Sequence, residues 1–304
     1  MFTIDRNGSE TLCDQIAEGF RRAIAAGEYK TGGWLLPFAA AFALLSARCA
    51  AETDGWNRGW YADISASSYL YSLGSVRADH PVWMMEGDVV QRLSLLGHVL
   101  VGYWALSDLG RHGDRSHRSG VYESDPYLFY GYDWNFADGW RLRNRLGMIW
   151  IFNEGYNVDV VHLMREWTYI GEITSPWATF CGQARAVDGR GTYVRIGVHH
   201  GFEMSDGLFS VTPHVALYGG SGRWNRKRYG DFVDGRSIAA GLGTLDYGVR
   251  LDVPIKWGAS WYLDLCGYDA FDSRTRTQMR ERRRRGSTMK LDAVFAVTGL
   301  CLEF

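Results

Sequence analysis

The chain has 304 residues, a formal net charge of −1, 14% aromatic residues, 37 Gly and 6 Pro. That length suffices for one large barrel or two ordinary domains, and so small a net charge provides no global field to attract nucleic acid. A helical membrane protein needs apolar runs of about 20 residues; only residues 34–47 approach such a run, and they fall short.

Residues 11–37 read TLCDQIAEGFRRAIAAGEYKTGGWLLP. Ile16, Phe20 and Ile24 recur at helical spacing, and the segment stops in glycine. It resembles the opening of a GntR-type winged-helix regulator through Gln15, Ile16, Arg22, Ala23, Ile24, Gly27, Tyr29, Gly32, Leu36 and Pro37. In that family a second helix then enters the major groove. Here FAAAFALLSARCA follows, with almost nothing to hold a base or a phosphate, so no nucleic-acid partner is expected. The same region also resembles a secretory signal peptide. Arg21, Arg22 and Lys30 precede the apolar run, and Cys49 and Ala51 approximate the small-residue cleavage pattern, which places the cut after Ala51. The expected division is therefore 1–33 as a GntR-like helical fragment or long n-region, 34–51 as the signal hydrophobic and cleavage region, and 52–304 as the folded body. Of the five cysteines none forms a CxxC pair. Cys181, Cys266 and Cys301 read as small strand residues, with a disulfide between two of them left open.

From residue 56 onward, twelve segments alternate as strands do: 58–72, 82–95, 98–107, 127–137, 140–152, 163–174, 177–187, 192–203, 208–218, 242–257, 260–269 and 289–304. Each is long enough to cross a bilayer as a tilted strand. In the fourth, Leu128, Tyr130, Tyr132, Trp134 and Phe136 make one row. In the fifth, Leu142, Leu146, Met148, Trp150 and Phe152 oppose Arg141, Arg143 and Arg145. In the tenth, Leu245, Tyr247, Val249, Leu251, Val253 and Ile255 oppose Asp246, Arg250, Asp252 and Lys256. The aromatic load is too heavy for a single core, and contact with lipid accounts for it better. Short and long connections alternate along the chain, apart from the brief loop at 188–191. The last segment carries Val294, Ala296, Thr298, Leu300 and Leu302 on one uncharged row and stops at Phe304.

A chain that ends on such a strand with a terminal Phe resembles a bacterial outer-membrane β-barrel. The resemblance implies an all-β fold, an antiparallel up-and-down transmembrane barrel of about twelve strands after an N-terminal helical segment. It also implies short periplasmic turns and long outer loops. The run SSYLYSLGSVRADHPVWMMEGDVVQRLSLLGHVLVGYWALSDL is similar to the front of certain outer-membrane porins, and EWTYIGEITSP with YVRIGVHHGFEM fits them loosely. The implied function is passive diffusion of small solutes, anionic ones included, across the outer membrane of a Gram-negative-type bacterium. The alternative is a closed structural or adhesive barrel that works through its loops. The implied partners are outer-membrane lipid, lipopolysaccharide, and the barrel-assembly machinery through the strand ending in Phe304.

Candidate bore residues are the charges on inward rows: Arg141, Arg143, Arg145, Glu166, Glu172, Arg185, Arg195, Asp246, Arg250 and Asp252. Rings of such charge tune ion selectivity, whereas Arg–Glu pairs in a narrow barrel would simply fill it. The cluster Arg282, Arg283, Arg284 and Arg285 is expected on an outer loop, either solvated or facing lipopolysaccharide phosphates. No enzyme, cofactor or metal is expected. His199 and His200 face opposite ways on a strand and cannot share an ion. Outer-membrane phospholipases of this architecture carry a Ser–His pair. Here Ser210 and His214 share a strand face, but Pro213 intervenes and no third partner is apparent.

Overall fold

The structure, a computed structural model, describes residues 58–72, 75–78, 81–93, 97–108, 121–153, 162–235, 237–256, 258–287 and 289–303. The GntR-like stretch, the signal region with Ala51, and Phe304 lie outside them. The strands are β1 (Arg58–Ser67), β2 (Leu70–Ser72), β3 (Ser75–Ala78), β4 (Val82–Arg92), β5 (His98–Asp108), β6 (Val121–Ala137), β7 (Trp140–Asn153), β8 (His162–Thr174), β9 (Thr179–Val187), β10 (Gly191–His199), β11 (Phe202–Met204), β12 (Phe209–Gly220), β13 (Gly241–Pro254), β14 (Ala259–Asp269) and β15 (Asp292–Glu303). Helix α1 (Gly222–Tyr229) lies between β12 and β13, and α2 (Ser273–Arg284) between β14 and β15.

Each long strand pairs antiparallel with its neighbours in the chain. The sheet closes on itself because the first strand meets the last, Tyr61 opposite Glu303 and Ser67 opposite Val297. The ring runs β10-β9-β8-β7-β6-β5-β4-β1-β15-β14-β13-β12, and β12 pairs back onto β10, which makes twelve strands. β11 is a short continuation of β10 beyond a break at His200 and Gly201, and β2 with β3 forms a separate hairpin. Closure leaves no sheet edge, the condition for a strand protein to sit in hydrocarbon.

Burial follows the parity of the strands. On β6, Leu128, Tyr130, Tyr132, Trp134 and Phe136 are exposed on the outside, while Tyr127 and Phe129 are buried within. On β15, Val294 is 78% exposed and Leu300 52%, whereas Phe295 between them is buried. Apolar side chains therefore face out and many charged ones face in, the reverse of a water-soluble core. The Tyr127 ring lies over Gly102 and the Tyr247 ring over Gly267, so aromatic faces cover backbone that has no side chain of its own.

Several boundaries differ from those the sequence predicts. The first barrel strand stops at Ser67, not at residue 72, because Leu70–Ala78 turns away as its own hairpin. β6 begins at Val121, six residues before the expected start, so Glu123 and Asp125 join the wall. The last strand begins at Asp292 instead of 289. The basic cluster is not a solvated loop. Arg282, Arg283 and Arg284 form the last turn of α2 and Arg285 caps it, a favourable place for cations at a helix C-terminus. The three cysteines among the described residues are free thiols.

In an up-and-down ring, alternate connections share an end. The connection from β1 to β4 therefore lies at the same end as those carrying α1 and α2. These three connections close one side of that mouth. Ser221 caps α1 by accepting from Trp224 N, and Asp272 caps α2 by accepting from Thr275 N at 2.7 Å. The fully buried Gln278 of α2 accepts from Phe232 N at 2.6 Å and Val233 N at 3.1 Å, and it donates to Val233 O at 3.1 Å. Met279, Tyr229 and Ile238 pack with Cys266, Tyr268 and Phe295 of the wall in one apolar cluster. Tyr71 of β2 reaches into this region, its ring centroid 5.0 Å from Phe295, 5.6 Å from Tyr268 and 6.1 Å from Tyr218. Burial holds the Tyr229 phenol above the usual tyrosine range, so its hydroxyl stays protonated beside Thr244.

Candidate functional site

Below the stopper the barrel encloses a cavity of about 470 Å³. Its walls carry opposite charge. β4 supplies Glu86 and Asp88, and β6 supplies Glu123 and Asp125. Arg145 of β7, Arg185 of β9 and Arg195 of β10 face them, and Tyr71 reaches in from the inserted hairpin. Tyr127 stands on the acidic side and donates its phenol to Glu86 Oε1 at 3.0 Å and Asp88 Oδ2 at 3.4 Å. Leu100, Ile149, Ile151 and Ile170 supply apolar ground between the charges.

All ten candidate bore residues lie on strand rows of inward parity, but only Arg145, Arg185 and Arg195 line this cavity. The other arginines, and Arg185 of the cavity itself, are engaged with carboxylates. Arg143 stands opposite both Asp133 and Glu172 on the flanking strands, with its Nη1 3.2 Å from Glu172 Oε2 and its Nε 3.6 Å from Asp133 Oδ1. Arg141 also pairs with Asp133. Arg250 contacts Asp252 at 2.7 Å, two residues along the same face, and its guanidinium lies 3.9 Å from the Tyr262 ring centre. Tyr262 in turn donates to Asp63 Oδ1 at 3.1 Å. Asp246 accepts from Tyr218, whose oxygen also accepts from Arg195 Nε at 3.1 Å. Glu166, 2% exposed, is held by Arg185 Nη1 at 3.1 Å. An anion preference based on Arg141, Arg143 and Arg145 is therefore weakened, because two of the three are neutralised in place and four carboxylates face the third.

Ser210 and His214 do not come together. Four residues along a strand is about 13 Å, beyond hydrogen-bond reach of a nucleophile and its base. His214 instead faces Asp264, with Nε2 3.4 Å from Oδ1. His199 lies opposite His214 on β10, whereas His200 leaves the strand and packs its ring 4.5 Å from Phe202. At the stopper, Arg282 donates to Arg228 O at 2.6 Å, the Arg285 guanidinium lies 4.7 Å from the Phe232 ring centre, and Arg283 and Arg284 are exposed.

The acidic wall is the part of the site that the expected residues lack. Glu86 and Asp88 sit at alternate places in a segment the sequence already shows as a strand, so parity with Met84 would have revealed them. A strand that starts at residue 127 leaves Glu123 and Asp125 out, because they precede the apolar row.

No protein-family model matches the sequence, and no curated protein matches it. Among solved structures, the chain is similar to KdgM porin at 6% identity and a TM-score of 0.43, covering 81% of this chain and 99% of that one. It is similar to outer membrane phospholipase A from Escherichia coli at 12% identity and a TM-score of 0.43, covering 80% and 92%. It is also similar to LpxR from Salmonella typhimurium at 10% identity and a TM-score of 0.41, covering 80% and 99%.

Proposed function

We propose that this protein spans an outer membrane and lets small polar solutes diffuse through its bore, favouring those that carry both signs of charge. The observation that carries the reading is the cavity between an acidic wall (Glu86, Asp88, Glu123, Asp125) and a basic one (Arg145, Arg185, Arg195), inside a ring whose outer rows are apolar. Opposed charges create a transverse field that orients a dipolar solute and penalises a singly charged one on the wall of like sign. The alternation of exposed apolar and interior charged residues supports lipid on the outside.

Planar-bilayer recording tests this. Step conductances from refolded protein are expected, with little discrimination between K⁺ and Cl⁻. Arg145→Glu should shift the reversal potential toward cation preference, whereas Arg141→Gln should change it little. Absence of any conductance in correctly folded protein rejects the channel.

A second reading has its own support. The stopper of α1, α2 and Tyr71, together with the engaged arginines, suits a barrel that stays closed and acts through its surface. Exposed Arg280, Arg283 and Arg284 on α2 would then meet lipopolysaccharide phosphates. Under that reading liposome swelling is negative, while binding to lipopolysaccharide persists and weakens when these three residues are changed to Gln.

A further inference from the structure

We propose that His214, Asp264 and Cys266 form a binding site for a divalent cation of the zinc class on the inner wall of the barrel. These three side chains offer ligand atoms that all lie within 4.8 Å of one another. Asp264 and Cys266 are two residues apart on β14 and so share a face. His214 comes from β12, two strands away, a lateral gap of about 10 Å. β13 lies between them, and Gly248 stands opposite His214 on one side and Cys266 on the other. The imidazole crosses β13 over that glycine, where a Cβ would run into Nε2. The missing side chain is what lets ligands from β12 and β14 converge.

Two details point to an ion and away from a simple contact. His214 Nε2 and Asp264 Oδ1 are both shut off from solvent, and neither has a hydrogen-bond partner. Buried polar atoms without partners are rare in folded proteins. The two face each other at 3.4 Å. A tetrahedral zinc with bonds of 2.0–2.3 Å separates its ligands by about 3.3–3.8 Å, so the spacing fits the edge of such a site. One cation would satisfy both atoms and take the Cys266 sulfur as its third ligand, the thiol proton leaving to solvent as the metal binds. Nitrogen, oxygen and sulfur together select zinc-class ions over Ca²⁺ and Mg²⁺, which take oxygen donors. Three protein ligands leave a fourth position to water from the bore. The proposal is independent of whether the bore conducts.

The test uses the full barrel refolded in detergent under metal-free conditions, with folding read from its heat-modifiable migration on gels. It is dialysed against Zn²⁺, Mg²⁺ or Ca²⁺ and its metal content measured. About one Zn²⁺ per chain is expected, with no comparable retention of the other two. Co²⁺ loading should give a thiolate-to-metal charge-transfer band in the wild type, a readout that requires no variant. Cys266→Ser, Asp264→Asn and His214→Gln should each weaken Zn²⁺ binding about 100-fold or more, while His199→Gln, on the neighbouring strand, should leave it unchanged. Folded wild type that holds no Zn²⁺ and shows no such band would leave an ordinary His–Asp ion pair and overturn the proposal. So would Zn²⁺ retention that survives loss of all three ligands.

Discussion

At the scale of single residues, the interior charges are costly to leave alone. Glu166 is shut inside the wall, and Arg185 at 3.1 Å is its counter-charge. Arg185→Met should therefore destabilise the barrel by about 3–5 kcal/mol, because it strands a buried carboxylate. Adding Glu166→Gln should recover most of the loss in the double variant, and urea unfolding in lipid or detergent measures both. The Arg143–Glu172 pair is about one-third exposed on each side, so its removal should cost only about 0.2–1 kcal/mol. A different strain sits at the turn from β11 to β12. Ser205 and Asp206 have φ of 50° and 56°, and Gly207 N donates back to Met204 O at 3.2 Å. Both central residues are left-handed, the geometry of a hairpin turn that prefers Asn-Gly. Asp206→Gly should raise stability by about 0.5–1 kcal/mol in the same unfolding measurement.

At the scale of elements, Gln278 makes three of the hydrogen bonds that fasten the segment holding α1 to α2, and Arg282 adds one to Arg228 O. Gln278→Ala removes three hydrogen bonds at once and leaves the Phe232 and Val233 amides without the acceptor they share. Local opening should become easier by about 2 kcal/mol. Trypsin should then cut at Arg226, Lys227 or Arg228 faster in the variant than in the wild type, with the barrel itself intact. The element scale also explains what the sequence reveals and what it hides. Period-two rows expose outward-facing strands directly: β7 and β13 are recognisable because one row has no charge at all, and β15 because its row from Val294 to Leu302 has none. The stopper is not recognisable in this way. Half of α2 is arginine, and only Thr275, Gln278 and Met279 mark its buried face. Two of those three are polar, so no apolar stripe announces the helix. β6 is under-read because Glu123, Asp125 and Pro126 break an apolar row, although they belong to the wall of a bore and not to a core.

At the scale of the whole molecule, the pairing of distant residues decides what the bore can be. The charges foreseen on inward rows pair within their own strand or with the next one, as Arg250 does with Asp252 and Arg143 with Asp133 and Glu172, whereas the tyrosines that tie the interior together reach strands far apart in sequence. Tyr262 meets Asp63, and Tyr71 reaches β12, β14 and β15. Such contacts leave no trace in local pattern, whereas the carboxylates that engage the arginine row stand on the two flanking strands and are found once the register is known. Removing the hairpin's aromatic with Tyr71→Ala should enlarge the passage and raise single-channel conductance without altering the outer belt. Equal conductance would place the constriction elsewhere. The meeting of β1 with β15 has a further consequence for how the molecule comes into being. The two seam strands lie at opposite extremes of the described chain, so the nascent polypeptide cannot zip shut before β15 has been made. Until then it carries two unsatisfied flanks and a greasy skin, a species prone to clump. Closing the ring then costs a long loop-closure entropy in one late event. Truncation before Asp292 should accordingly abolish the heat-resistant band altogether instead of yielding a smaller stable ring.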